Sequence, residues 1–102
     1  MGKLDFLEIK AQFEAQMNLD FEIELLETNY SVYSFGSGFA AYKIRGITFM
    51  IIYDGRDNLT YSKRSKYHEK YPNCSWFEIY SGNPDDFFEK GIDILKDELN
   101  KN

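Results

Sequence analysis

A chain of 102 residues in which 43% are hydrophobic, with nine Phe, eight Tyr and one Trp, holds enough apolar material for one core and too little for two. Its formal net charge of −5, from 17 acidic against 12 basic residues, repels phosphate backbones and anionic lipid at long range, so cationic partners are favoured over nucleic acid or membrane. The single cysteine, Cys74, excludes an internal disulfide scaffold and fits a reducing cytoplasm. Charges at Lys3, Asp5 and Glu8 break up the first apolar residues, so no signal-peptide core is expected there. The longest apolar run, residues 47–53, is far shorter than the ~20 residues a membrane-crossing helix needs.

In chain order, Leu4 to Asn18 lacks Pro and Gly and sets Phe6, Ile9, Phe13 and Met17 three or four apart, the stripe of an amphipathic helix, which Leu7, Ala11 and Ala15 would widen. Lys3, Glu8, Gln12 and Glu14 mostly take the other faces. The period then changes to two. Phe21-Glu22-Ile23-Glu24-Leu25 alternates as a first strand with two carboxylates outward. Residues 30–35 and 39–44 flank Gly36-Ser37-Gly38 and read as a hairpin, and Ile44-Arg45-Gly46-Ile47 supplies a second tight turn. The β-branched and aromatic run 47–53 is expected to be a central strand buried on both faces.

The turn-rich Asp54-Gly55-Arg56-Asp57-Asn58 precedes a further strand at 59–62, residues 63–73 resemble an exposed loop or frayed edge strand, and 75–80 gives the final strand. Asn83 as cap, Pro84 at the first helical position and Asp85, Asp86 and Glu89 in the first turns open a C-terminal helix. Its stripe is Phe88, Ile92, Leu95 and Leu99, widened by Phe87 and Gly91, where the missing side chain allows close approach to the sheet. Lys96 and Lys101 suit its C-terminal end. The chain therefore predicts one α+β domain: an N-terminal helix, five or six mostly antiparallel strands, and a C-terminal helix packed on the sheet.

Catalytic and metal signatures are weak. His68 and Cys74 could form a nucleophile pair, but neither sits in a surrounding motif and six residues of strand and loop do not bring them together. The 54–58 segment lacks the ligand spacing and closing glutamate of a calcium loop, and one Cys with one His cannot complete a zinc site. Gly36-Ser37-Gly38 lacks the lysine of a phosphate loop, the third glycine of a dinucleotide fingerprint and a following helix. No cofactor and no metal are expected, and binding a protein partner is favoured over catalysis.

Two charged features can carry such binding. Asp20, Glu22, Glu24 and Glu27 lie in and around the first strand as an acidic ridge, which serves either to keep a sheet edge from self-association or to dock a basic protein. Residues 61–71 interleave Tyr61, Tyr67 and Tyr71 with Lys63, Arg64, Lys66 and Lys70, a composition for a solvated loop, for stacking bases or for half of a protein interface. The candidate partner-binding residues are Asp20, Glu22, Glu24, Glu27, Tyr61 and Tyr67.

In size, acidity, richness in Tyr and Phe, and helix–sheet–helix order, the whole chain resembles in overall character the small cytoplasmic immunity proteins encoded beside bacterial polymorphic or contact-dependent toxins. That resemblance implies a stoichiometric inhibitor that covers the active site of a toxin, such as a nuclease, or a nearby surface. The alternative is a homodimeric secretion-type chaperone or structural interaction protein, and behind it a small enzyme or nucleic-acid binder using residues 61–74.

Overall fold

The computed structural model describes residues 5–66 and 69–101. Helix α1 (Phe6–Asn18) starts where Asp5, in an extended conformation, accepts a hydrogen bond from the Glu8 amide and so satisfies one of the free donors of the first turn. Phe6, Ile9, Phe13 and Met17 are all buried, the stripe their spacing predicts. The expected widening does not occur, for Leu7 is half exposed and Ala11 and Ala15 face solvent. The helix lies at the margin of the sheet over strands β1 (Ile23–Ser31) and β2 (Ser37–Ile44), so a single row of side chains suffices to seal it.

The sheet is an uninterrupted antiparallel meander, β1 and β2 followed by β3 (Ile47–Asp54), β4 (Leu59–Ser65) and β5 (Trp76–Gly82), in the order β1-β2-β3-β4-β5. Five strands form, because residues 23–31 make one long strand whose register shifts between Leu25 and Glu27; the expected strand at 30–35 is its end followed by a 3₁₀ turn at Val32–Ser34. The two-residue Arg45-Gly46 turn has both residues at positive φ, the primed geometry that matches strand twist. Strand β3 is central, as its composition predicts.

Burial on both faces of β3 is not what the structure shows. Both helices pack on the side formed by Ala40, Tyr42 and Ile44 of β2, Phe49, Ile51 and Tyr53 of β3, and Tyr80 of β5. Of the alternate residues, Thr48 is buried but Met50 and Ile52 stay half-buried because, among the described residues, no helix covers that face. Lys63, Arg64 and Ser65 also depart from expectation: they belong to the interior strand β4 rather than to a loop, and Arg64 is turned into the helix side, where it is 6% exposed and its Nη1 donates to Glu98 at 2.9 Å.

The C-terminal helical stretch consists of α2 (Pro84–Asp86), a π-helical turn at Phe87–Gly91 and α3 (Ile92–Asn100). Asn83 Oδ1 accepts from the Asp86 amide at 2.8 Å and Pro84 occupies the first helical position. The wider turn resets the apolar stripe so that Phe87, with Ile92, Leu95 and Leu99, enters the core, while Phe88 is only half-buried. Gly91 does permit close approach: a Cβ there would lie 2.7 Å from Phe87 Cδ1 and 3.1 Å from the Tyr80 ring. Phe13, Tyr42 and Phe87 meet ring to ring in the middle of the core, with centroids 5.2 and 6.1 Å apart. Full burial of each such side chain is worth roughly 1.5–3 kcal/mol.

Candidate functional site

Side chains on the uncovered face can be placed row by row from the strand register. Asn29, Phe39, Ile52, Tyr61 and Ser81 cross the sheet in one row, and Glu27, Ala41, Met50, Lys63 and Glu78 in the next. Beyond them Glu24 stands opposite Lys43, Lys43 opposite Thr48, and Ser65 opposite Trp76. Phe39, Met50, Ile52, Tyr61 and Trp76 are all half-buried, so the face is apolar in its middle and charged toward the β1 edge.

Between β4 and β5, residues 69–71 fold across part of this face. The Lys66 amide donates to the Ser75 carbonyl at its base, and the Glu69 carboxylate accepts from the Ser75 amide. Tyr71, whose ring meets Trp76 edge-on at 6.2 Å, reaches along the same face to the opposite edge of the sheet, where its hydroxyl donates to Glu27. That hydrogen bond, with some desolvation and the negative charge of Glu27, pushes the Tyr71 phenol up to about 12. A groove of about 250 Å³ is enclosed between Leu26, Lys43, Gly46 and Thr48 of the sheet and Glu69, Lys70 and Tyr71 of the segment. A second, of about 390 Å³, continues from Lys43 and Gly46 to Glu22, Ile23 and Glu24.

The structure thus unites two features that are separate in the sequence, the acidic strand and the basic, tyrosine-rich segment. Glu24 and Glu27 are three apart, which on a regular strand would oppose them, yet both face the open side because the bulge at Leu26 absorbs one residue. Glu22 and Glu24 are exposed and, among the described residues, their carboxylates have no hydrogen-bond or ion-pair partner. Asp20 does not join the ridge: it lies in the turn after α1 and is held by Lys96 of α3 at 2.7 Å. Tyr61 shares the open face but sits three strands away, roughly 14 Å at ordinary strand spacing. Tyr67 and His68 lie outside the described residues.

Cys74 is half-buried, and burial, reinforced by the Glu69 charge, pushes its thiol up, the opposite of what a nucleophile needs. Asp54 spends its carboxylate on its own turn, accepting from the Arg56 amide at 3.0 Å. Among the described residues no helix is long and apolar enough to cross a membrane.

Sequence reasoning missed one surface. At the end of β1 the turn Val32–Ser34 and Phe35 project outward, with Tyr33 97% exposed and Val32 and Phe35 mostly so. Phe35 sits at φ 60°, ψ 29°, a left-handed conformation that costs an aromatic residue of order 1 kcal/mol or more. The neighbouring turn holds it there. The Phe35 carbonyl packs so closely on Gly55 that no side chain fits, the Gly55 amide donates to Ser37 Oγ at 2.8 Å, and the Arg56 guanidinium lies 5.6 Å from the Phe35 ring centre. The available signal was an aromatic pair abutting Gly36-Ser37-Gly38, where a turn displaces the strand alternation.

The fold and these surfaces define a two-layer α+β protein with one sheet face and one charged sheet edge left open. Comparison with protein-family models, with curated proteins and with solved structures finds no match for the chain.

Proposed function

We propose that the protein is a stoichiometric protein-binding inhibitor of a basic partner, acting without catalysis or cofactor in the manner of a cytoplasmic immunity protein that covers a toxin's active site or a surface beside it. One observation carries this reading: the exposed strand β1 presents Glu22, Glu24 and Glu27 toward one side and runs directly into the outward-facing aromatic turn at Val32–Phe35. Carboxylates in such an array speed encounter with a cationic surface and fix orientation, while an exposed aromatic side chain can fill a partner's pocket. A nuclease fits this chemistry, since its nucleic-acid groove is both concave and basic.

The test begins with the tagged protein in its native host and mass determination of free and bound material. Recovery of one basic protein at fixed stoichiometry, whose toxicity or activity is lost in the complex, is the expected result. Against that partner, Glu22→Lys with Glu24→Lys should slow association about tenfold and flatten its dependence on salt. Tyr33→Ala should act on dissociation instead. Association rates and salt dependence unchanged by the double charge reversal would overturn the assignment of this surface.

A further inference from the structure

Strands β1 and β5 are the two edges of the sheet, and they differ in what they offer a new neighbour. On the outer side of β1 the backbone N–H and C=O groups that point away from β2 have, among the described residues, no strand beside them, and Glu24, Leu25, Glu27, Thr28 and Asn29 are all exposed. The edge is chemically two-sided. Toward the open face stand Glu22, Glu24 and Glu27. Toward the helix side Ile23 and Leu25, the latter 43% exposed, border a groove of about 280 Å³ completed by Lys10, Glu14, Asn18 and Tyr42. Polar groups in this groove are already positioned, since Tyr42 donates to Glu14 at 2.6 Å and Lys10 pairs with Glu14 at 2.8 Å. At the other edge, β5 carries one carboxylate, Glu78, and it stands opposite Lys63 of the adjoining strand.

We propose that the β1 edge binds an extended segment of the partner as a sixth, added strand, and that this segment alternates cationic and apolar residues. The proposal rests on the reading of the β1 side as the partner surface and specifies how the partner is held. A strand laid beside β1, about 4.8 Å away, continues the ladder and turns its alternate side chains to opposite faces. Lysine or arginine then falls beside Glu22, Glu24 and Glu27, and an aliphatic side chain falls beside Ile23 and Leu25 over the groove. The bulge at Leu26 keeps the cationic positions on the partner two apart: β2 already spans it with Lys43 and Ala41, two residues apart, opposite Glu24 and Glu27. A second copy of this chain is a poor occupant, because antiparallel pairing of two β1 edges sets like carboxylates against one another on the same face.

The probe is a labelled peptide of about nine residues alternating lysine and valine, titrated by fluorescence anisotropy against the full chain at ~150 mM salt, where screening confines electrostatics to close contacts. It should bind about tenfold or more tightly than a peptide of the same composition with its lysines and valines in separate blocks. Two methylated versions of the alternating peptide, one on its lysine amides and one on its valine amides, should differ at least tenfold, since only one set faces β1. Leu25→Asp should weaken the alternating peptide and leave the block peptide unchanged. Equal binding of alternating and block peptides, or of the two methylated forms, overturns strand addition. If in that case charge reversal at Glu22 and Glu24 still abolishes binding, the acidic docking surface stands without the added strand. A partner association indifferent to that reversal removes the underlying reading instead.

Discussion

Alternate residues of the same five strands build two unlike surfaces. On the covered side, Tyr42, Phe49, Ile51, Tyr53 and Tyr80 are sealed by α1, the π-helical turn and α3. On the other side, Phe39, Met50, Ile52, Tyr61 and Trp76 have similar hydrophobicity yet remain half exposed, shielded only in part by the segment that Tyr71 pins to Glu27. Polar groups follow the same division. Arg64 and Glu98 on the covered side form a pair with little access to water, whereas Glu22 and Glu24 on the open side are solvated and available. Burial of a side chain here reports whether a second layer exists over it, and availability for a partner is what the absence of that layer leaves.

This contrast can be broken most strongly at Phe13, which has no exposed surface and touches both Tyr42 and Phe87. Phe13→Ala should lower unfolding stability by about 3–5 kcal/mol in urea titrations, a large part of the ~5–15 kcal/mol typical of such a domain. A loss below 1 kcal/mol would mean that the covered side is as loosely packed as the open one.

Next comes Glu98, whose carboxyl is held below its ordinary range by the hydrogen bond from Lys101 and then by that from Arg64. Glu98→Gln removes the carboxylate charge that pairs with the buried Arg64 and should cost about 1.5–3 kcal/mol at neutral pH. Because ionised Glu98 is favoured in the folded state, its contribution is complete above the unfolded glutamate pKa and disappears as pH falls through the lower, folded value. Urea midpoints of the native protein and of Glu98→Gln should therefore converge on acidification.

A smaller effect is expected at Gly91. Alanine would favour the helix by up to about 1 kcal/mol, but its Cβ would press on the buried Phe87 and Tyr80 rings, so Gly91→Ala should destabilise by about 1–2 kcal/mol net. A stabilised variant would show that this packing has room to move.

The smallest effect is on the open side. Tyr71 titrates late, at about 12, because its neutral phenol donates to Glu27. Glu27→Gln should return that titration toward the ordinary tyrosine value near 10 in absorbance measurements, with little change in the urea midpoint at neutral pH. The sign is that of a raised pKa: the contact supports the folded state below the unfolded tyrosine pKa and is lost as pH rises through the folded one. An unchanged Tyr71 titration would show that the segment is not tethered to the acidic edge.

The helices were legible because their signals are local. Asn83 caps through a side chain only three residues from the amide it accepts from, and the 3.6-residue spacing of Phe6, Ile9, Phe13 and Met17 is already the contact row, whereas the cap at Asp5 was not read from the sequence. The mostly antiparallel direction of the strands was legible from the tight turns at 36–38, 45–46 and 54–58, whereas the order β1-β2-β3-β4-β5 came only from the tertiary structure. The acidic strand could be read as a potential edge because outward carboxylates discourage edge-to-edge association.

What the sequence determined by itself was the α+β class, the two helical stretches, the strands at 39–44, 47–53, 59–62 and 75–80, and the alternation that divides a strand into two rows. Which row is covered was decided in three dimensions, because a strand's period says that its sides differ and says nothing of where the helices lie. Tertiary structure alone put Glu24 and Glu27 on one side through a bulge, drew Asp20 away to Lys96, carried Tyr71 across to Glu27, and turned 32–35 from strand into an exposed aromatic turn. Each of these depends on contacts between residues far apart in the chain, whose free energies exceed the local preferences that a sequence pattern records.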